Sequence, residues 1–500
     1  MMENLGIKNS PPPTETIFPK VVKGGFWVFS LRIAERVLDF IKILILARLL
    51  LPSDFGLLGI ALLVANILGT FTGTGFMSAL IQQKEKTEQY LDTAWTVQLI
   101  RGLLLFCILF LGAPLAAKFF KTPEANWVIK VLAVTQLMDG FRNIGVVYFK
   151  KELEFHKQFI YSFGATLAGL IVSIYCAFLL RNVWALVYGF LAGNIVALIL
   201  SYVIHPYRPK LDFDIHKAKE LFGFGKWVLS FGIVSFFATQ GDDIFVGKVL
   251  GATMLGFYQM AYTISNLPAT EITHVISQVV FPSYSKMQDN IARLREAYMR
   301  VLRIVAFLTF PLAVLIFTLA PDFTIIFLKH KWMFMVPSLQ VLCLFGLVRA
   351  VSATIGPVLY ATGKPQILTK LSAIYLVILV VLIYPLSAKW GILGVSWAVV
   401  IPSVVNLILF ISPLKRTLKT STLELLKAIF PIIGATIFMT LLLLGMQSLV
   451  DLKATIPYFT ARVVTGLAVY LFGLYLLDII FKNQLRVTLV SLLKEIRHGK

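Results

Sequence analysis

Five charged residues interrupt the first long apolar stretch of the sequence: Arg32, Glu35, Arg36, Asp39 and Lys42. At 100° per residue of α-helix, they fall within about one third of the helix circumference. An ionisable side chain costs about 2.5–3.5 kcal/mol at the centre of a membrane helix, so it normally faces a partner or a water-filled cavity. A guanidinium group stays charged and donates hydrogen bonds in a fixed fork, which suits a pyrophosphate. The stripe therefore predicts that Arg32 and Arg36 line a cavity and bind an anionic substrate group.

The same spacing allows a purely structural interpretation. Arg32 and Glu35, like Arg36 and Asp39, lie three residues apart and can form ion pairs within one helix. The stripe would then be self-neutralised and would pack against neighbouring helices. We also regard Glu35 and Asp39 as candidates for coupling or gating.

The stripe lies in a stretch that recurs 200 residues later. GFWVFS at 25–30 returns as GKWVLS at 225–230, and eight residues between 25 and 61 have identical counterparts in the second copy without a gap. The second copy carries Asp242 and Asp243 at the depth of Lys42. Adjacent side chains point about 100° apart on a helix, so the two aspartates cannot serve one partner. We expect one to pair with the first span and the other to accept a coupling proton or Na⁺. The alternative is a conformational salt bridge without a role in transport.

Neutral polar residues form a second stripe on the span after these aspartates: Gln259, Tyr262, Thr263, Asn266, Thr270, Thr273 and Ser277. Hydroxyl and amide groups suit the hydroxyls of a sugar, although the same groups join helices in membranes. The substrate-binding candidates among them are Gln259, Tyr262, Asn266 and Thr270. Glu271 and His274 flank the stripe one turn apart and are candidates for proton coupling. Two such residues are too few for a metal site.

Several other spans carry charges. Asp139 and Arg142 are spaced to pair with each other, which favours a structural role. Arg101 and Arg349 are single cations within apolar spans, and each needs an anion from another helix or a place on a cavity wall. Arg349 is therefore a further substrate-binding candidate. Gly69 and its neighbours in span 2 predict a close approach between helices.

No pattern in the sequence indicates catalysis. The chain lacks a GxxxxGK[ST] motif, so it has no built-in ATP-driven step, and it lacks HExxH, DDxxD and nucleophile-elbow motifs. Its three cysteines, Cys107, Cys176 and Cys343, sit in apolar runs without metal spacing. We therefore expect no enzyme activity, no metal, and no cofactor apart from a possible coupling ion, H⁺ or Na⁺.

The composition predicts an all-α polytopic membrane protein. The chain is 58% hydrophobic and 14% charged, with a mean hydropathy of +0.83, which no soluble protein of this length would tolerate. The net charge of +21 is spread between apolar spans, so anionic membrane lipids explain it better than nucleic acid does. The first span follows a polar segment rather than a positively charged one, so we expect no cleavable signal peptide.

About fourteen spans can be read from the hydropathy: 24–50, 55–81, 91–113, 127–149, 159–180, 183–204, 221–249, 255–281, 299–320, 333–360, 366–387, 391–413, 427–449 and 457–481. Six spans per repeat make the duplication parallel, with its pseudo-axis along the membrane normal. The Lys and Arg residues concentrate at the termini and in even-numbered loops, which predicts that both termini are cytoplasmic. The predicted organisation is a tail (1–23), an N-lobe (24–205), a linker (206–220), a C-lobe (221–413), spans 13 and 14 (414–481) and a basic tail (482–500).

Four motifs resemble those of a known family: KGGFW at 23–27, LARLLLPSDFG at 46–56, VFPSYS at 280–285 and GPVLYATGKP at 356–365. They resemble the polysaccharide transporters, the Wzx-like flippases of the multidrug/oligosaccharidyl-lipid/polysaccharide exporter superfamily, and most of all the colanic and teichuronic acid exporter branch. The resemblance implies two six-helix lobes plus a terminal pair, with spans 1, 2, 7 and 8 lining a central cavity. It also implies the cargo, an undecaprenyl-pyrophosphate-linked oligosaccharide. This cargo would be moved by alternating access across the bacterial inner membrane for extracellular polysaccharide assembly.

Other functions stay open at this point. A cation-coupled multidrug antiporter of the same superfamily would favour an acidic, aromatic cavity, whereas the charged stripe of span 1 contributes three cations and two anions. A membrane polymerase or ligase would need a sizeable external loop, and the external loops expected here have fewer than about 15 residues. A non-transporting scaffold is the remaining alternative. The expected partners are the lipid-linked oligosaccharide, anionic lipids and the polymerase machinery, with the protein itself a monomer.

Overall fold

The computed structural model describes residues 17–73, 76–77, 80, 88–152, 154–216, 232–233, 235–449 and 455–481. Within these ranges the regular structure is helical. A long helix coincides with each predicted span: α1 Ile17–Leu49, α2 Pro52–Phe71, α3 Glu88–Phe119, α4 Ala125–Phe141, α5 Phe155–Leu180, α6 Trp184–Ile204, α7 235–245, α8 Ala252–Ser285, α9 Ile291–Phe323, α10 Val336–Ala361, α11 Pro365–Trp390, α12 Ile392–Leu418, α13 Thr422–Leu449 and α14 Ile456–Phe481. The predicted all-α fold is confirmed.

Ten helices in the described part of the chain are long and apolar enough to cross a membrane. The other four are α1 and α8, which carry the polar stripes, and α4 and α7, which are short over the residues described. The protein is therefore a multi-pass membrane protein, and the number of fourteen crossings stays a prediction.

The chain forms two compact units, residues 1–236 and 237–500. In the first unit α3 packs on α4, α5 on α6, α2 on α4, α4 on α6 and α1 on α5. Glycines bring two of these pairs close together. A Cβ on Gly102 of α3 would lie 2.7 Å from the Gln136 carbonyl oxygen of α4, and a Cβ on Gly193 of α6 would lie 3.1 Å from the Ala165 carbonyl oxygen of α5. A Cβ on Gly69 of α2 would meet no neighbour within 4 Å, and Gly75 lies outside the described residues.

The second unit repeats four of these pairings six helices later. Here α9 packs on α10, α11 on α12, α8 on α10 and α10 on α12. This repetition agrees with a parallel duplication. The last two helices, α13 and α14, pack on each other and on α9.

Part of the segment predicted as the linker packs on α3 of the first unit. The backbone N–H of Lys210 donates to Asp92 Oδ1 at 2.8 Å, and that of Asp212 donates to Thr96 Oγ1 at 3.1 Å. On the other side of the segment, Asn143 Nδ2 donates to the Tyr207 carbonyl oxygen at 2.6 Å. Residues 217–231 of the linker and of span 7 lie outside the described residues.

A buried ion pair joins α14 to α9. Arg462, whose side chain is 1% exposed, pairs through Nη1 with Asp322 Oδ2, and its Nη2 donates to the Leu443 carbonyl oxygen of α13 at 3.0 Å. A buried charge is tolerated only when its partners are in place. Arg462 therefore holds the terminal pair of helices against the rest of its unit.

Candidate functional site

The charged stripe of α1 contains one of the predicted intrahelical pairs. Arg36 Nη1 lies 3.8 Å from Asp39 Oδ2, and both side chains are about half exposed. The predicted pairing of these two residues is confirmed. Because an exposed ion pair contributes little to stability, this contact does not exclude a second role for Arg36.

The acidic side of the stripe faces a small cavity of about 400 Å³ inside the first unit. Glu35, Asp39 and Lys42 line it from α1, and Tyr161 and Asn194 line it from α5 and α6. Arg32 and Arg36 line neither this cavity nor the larger one beside it. Their role in substrate binding stays a prediction.

The larger cavity of the first unit measures about 640 Å³ and is lined by α2, α3, α4, α5 and the connection after α4. This volume is within the usual range for small-molecule sites, about 300–1,000 Å³. Its walls carry an unusual number of polar side chains for a unit made of apolar helices: Asn66, Thr70, Gln98, Arg101, Gln136, Asp139, Arg142, Lys150, Gln158 and Tyr161. Amides, hydroxyls and guanidinium groups together can hold both a sugar and an anion.

Arg101 lies in the wall of this cavity and is fixed by the end of α2. Its Nη2 donates to the Gly69 carbonyl oxygen at 2.8 Å, and its Nε donates to Thr72 Oγ1 at 3.2 Å. The last four carbonyls of a helix have no partner within that helix, and a cation there is favoured by the helix dipole. These two contacts use two of the five guanidinium N–H donors, so a substrate in the cavity could accept from the others. The sequence identified Arg101 as an intramembrane cation but did not make it a site candidate.

Asp139 and Arg142 form the predicted pair, with Arg142 Nη2 at 2.8 Å from Asp139 Oδ1. The same nitrogen donates to Asn194 Oδ1 of α6 at 2.7 Å. Gln98 of α3 braces the turn by donating from Nε2 to the Asp139 carbonyl oxygen at 2.7 Å. Arg142 and Tyr161 line both cavities. The predicted pairing is therefore confirmed, and its arginine lines both cavities, while its structural role stays a prediction.

The two aspartates of α7 have different partners on α8. Asp242 is 6% exposed, and its Oδ2 accepts a hydrogen bond of 2.6 Å from the Tyr258 hydroxyl. Asp243 accepts a hydrogen bond from the side chain of Gln259. The prediction that adjacent aspartates serve separate partners is confirmed. The expected pairing of one aspartate with α1 stays a prediction.

Arg349 extends this polar cluster of the second unit to α10. Its Nη1 donates to the Tyr262 hydroxyl at 3.4 Å, and the Tyr262 ring lies 5.8 Å from that of Phe345 and 6.4 Å from that of Tyr258. Arg349, which needed a partner, thus contacts a hydroxyl rather than a carboxylate. Two tyrosines on one face of α8 lie between this cation and Asp242.

The rest of the α8 stripe has a different environment. Asn266 is 2% exposed, and its Nδ2 donates to the Tyr262 carbonyl oxygen at 3.3 Å. Its Oδ1 would lie 3.7 Å from a Cβ on Gly346, so this amide sits in the contact between α8 and α10. Thr270 and Glu271 are half-buried, and the side chain of His274 lies outside the described residues. Among the side chains of the stripe that the structure describes, Gln259 and Tyr262 join the cluster of Asp242 and Arg349.

Polar and charged groups inside units of long apolar helices define a multi-pass membrane protein with a transporter fold. The solved structure of the lipid II flippase MurJ in an inward closed conformation has this fold, with a TM-score of 0.72 at 18% identity, and the match covers 91% of this chain and 99% of that one. Residues 45–337 match the family model described as polysaccharide biosynthesis protein. The chain belongs to that family, and the assignment made from its motifs is confirmed.

Two relatives with assigned names support the same placement. The chain is 26% identical over 392 residues to the lipopolysaccharide biosynthesis protein WzxC of Escherichia coli, a match that covers 78% of this chain and 80% of WzxC. It is 28% identical over 345 residues to the teichuronic acid biosynthesis protein TuaB of Bacillus subtilis, which covers 67% of this chain and 70% of TuaB. The second of these relatives is named for teichuronic acid, as the motifs led us to expect.

Proposed function

We propose that this protein is a flippase that moves a lipid-linked oligosaccharide across a membrane for polysaccharide assembly. The observation that carries the proposal is the polar cavity of about 640 Å³ within a unit of apolar helices, with Arg101 fixed in its wall. A lipid-linked oligosaccharide needs a polar cavity for its sugars, a cation for its phosphate and an apolar surround for its lipid. The cavity and the helices around it offer all three.

The parts of the cavity match the parts of such a substrate. Gln98, Gln136 and Asn66 present amide groups, which suit sugar hydroxyls. Arg101 presents a guanidinium, which suits a phosphate or pyrophosphate. Undecaprenyl pyrophosphate, as the carrier lipid in the bacterial inner membrane, fits this chemistry. In this proposal both termini of the protein lie in the cytoplasm.

Release of the anionic group is the difficult step. Outward movement of a negative charge across an inside-negative membrane is favoured by about 2.3 kcal/mol per unit charge for each 100 mV. A cavity that binds the anion well must still let it go. Asp242 is buried and accepts a hydrogen bond from Tyr258, and in this proposal it binds H⁺ or Na⁺ and so favours one conformation of the transporter. Rocking of the two repeats would then give alternating access.

Transfer between leaflets tests the function directly. We would reconstitute the full chain into proteoliposomes with a fluorescent undecaprenyl-pyrophosphate oligosaccharide and measure the fraction accessible to a membrane-impermeant quencher. Protein-dependent transfer, with slower transfer in Arg101→Gln, is the expected result. Transfer equal to that of protein-free vesicles would contradict the proposal. Exchange of an organic cation in the same vesicles, without lipid transfer, would favour a multidrug antiporter.

A further inference from the structure

A third cavity lies in the second unit, where α9 and α13 begin side by side. It measures about 710 Å³ and is lined by residues 290–303 at the start of α9 and 424–428 at the start of α13. The start of α9 is capped by Asn290, whose side chain accepts from the Arg293 backbone N–H at 3.1 Å. The start of α13 is fixed by Ser421, whose hydroxyl accepts from the Glu424 backbone N–H at 3.1 Å. We call this cavity the α9/α13 cleft.

Cations outnumber anions in the α9/α13 cleft. Four basic side chains line it, together with two carboxylates: Arg293, Arg295, Arg303, Lys427, Glu296 and Glu424. One of the carboxylates, that of Glu424, accepts a hydrogen bond from the Thr420 hydroxyl, and Arg295 is held by donating to the Lys419 carbonyl oxygen at 3.2 Å. Both helices also direct their positive N-terminal ends toward the cleft, which favours an anion there.

Apolar surface flanks the cleft along α13. On this helix, Leu423, Leu426 and Phe430 are 60%, 52% and 51% exposed, and they follow the helix beside the face that lines the cleft. The cleft therefore lies where an apolar, lipid-facing surface meets the polar ends of two helices, which is the depth of lipid headgroups.

We propose that the α9/α13 cleft binds the phosphate-bearing headgroup of an anionic phospholipid. The basic side chains of the cleft hold the phosphate, and the acyl chains lie along the exposed apolar residues of α13. A soluble phosphate would satisfy the cations but would leave this apolar surface without a role. The site is separate from the polar cavity of the first unit and does not depend on the cargo proposed for it.

The test compares two charge-matched triple variants of the full chain. Arg293→Gln/Arg303→Gln/Lys427→Gln removes three cations that line the cleft. Arg300→Gln/Arg416→Gln/Lys370→Gln removes the same charges at residues outside its lining. Each protein is purified in a neutral detergent, and the binding of phosphatidylglycerol and of phosphatidylcholine is measured by native mass spectrometry. Thermal unfolding without added lipid identifies any variant that has lost its fold.

The expected result is a loss of phosphatidylglycerol affinity of about tenfold or more in the cleft variant and less than about twofold in the control. Phosphatidylcholine binding should be weak in all three proteins. If the triple cleft variant unfolds early, Arg293→Gln alone, at an exposed position, should still weaken phosphatidylglycerol binding. Equal losses in the cleft and control variants would overturn the proposal, because the attraction would then be a general effect of charge. Displacement of phosphatidylglycerol by inorganic phosphate at equal concentration would also overturn it, in favour of a soluble-anion site.

Discussion

The two units pair their helices in the same pattern but differ in the chemistry of their polar centres. Four helix pairings of the first unit recur six helices later in the second. The first unit surrounds its large cavity with Arg101 and the pair of Asp139 and Arg142. The second unit instead buries Asp242 against the hydroxyl of Tyr258. The pattern of helix packing has persisted while the polar residues at the centre have diverged.

We propose that this difference reflects separate tasks of the two units. A guanidinium stays protonated at any accessible pH, so Arg101 can hold an anion whatever the conditions on either side of the membrane. The charge of a carboxylate is neutralised when it binds a proton or a cation, so the state of Asp242 can depend on an ion gradient. We therefore assign anion binding to the first unit and ion sensing to the second. The following predictions test that comparison, beginning with the largest expected effect.

The ion pairs of the two units should differ most in their contribution to stability. Arg462→Ala leaves Asp322 without its buried partner and should lower the free energy of unfolding by about 3–5 kcal/mol. Arg142→Ala removes a pair whose side chains are 28% and 46% exposed, and the expected loss is about 1 kcal/mol. Unfolding by dodecyl sulfate in mixed micelles, followed by circular dichroism, would measure both.

An apolar double replacement sharpens this contrast. Arg462→Met/Asp322→Leu removes both charges and should recover most of the stability lost in Arg462→Ala, because no uncompensated charge stays buried. A double variant as unstable as Arg462→Ala would show that the hydrogen bond from Arg462 to Leu443, rather than the ion pair, secures α14.

The charge of Arg101 should matter to transport more than that of any exposed arginine. Arg101→Gln keeps a donor for the Gly69 carbonyl oxygen but removes the charge, and we expect transfer to slow by about 10–100-fold. Arg101→Lys should restore part of the rate, because an ammonium lacks the bidentate fork. Initial rates in proteoliposomes with matched protein content provide the measurement. Arg181→Gln, at the exposed end of α5 and outside both cavities, is the control and should transport normally.

Replacing the two arginines of the α1 stripe should have a smaller effect on transport than replacing Arg101. We expect Arg32→Ala/Arg36→Ala to reduce polymer export by about tenfold while the protein still accumulates in the membrane, and Lys replacements should rescue part of the export. Arg48→Ala, on the opposite side of the same helix, serves as the control. Normal export by the double variant would show that neither arginine is needed to bind the substrate. Loss of the protein from the membrane would instead show that the stripe is structural.

Local sequence spacing predicted some of these contacts and could not predict others. Arg36 and Asp39 lie three residues apart on one helix, so their pairing follows from helix geometry alone. Arg462 and Asp322 are 140 residues apart, and their pairing depends on how α14 packs against α9, which no periodicity encodes. The contact of Gly69 with Arg101 could not be predicted for a related reason. Arg101 donates to the backbone carbonyl oxygen of Gly69, and because every residue carries such a carbonyl, the sequence does not show which one accepts.

The most direct test of the division between the units is a transfer assay with the ion gradient either imposed or collapsed. Wild-type protein should transfer the lipid-linked oligosaccharide faster with the gradient. Asp242→Asn should bind substrate normally but transfer at one rate under both conditions, and Asp243→Asn provides the adjacent comparison. Arg101→Gln should be slow under both conditions and should keep the wild-type ratio between them. If Asp242→Asn, Asp243→Asn and the double variant all keep the wild-type gradient dependence, the second unit does not sense the ion and the assignment is wrong.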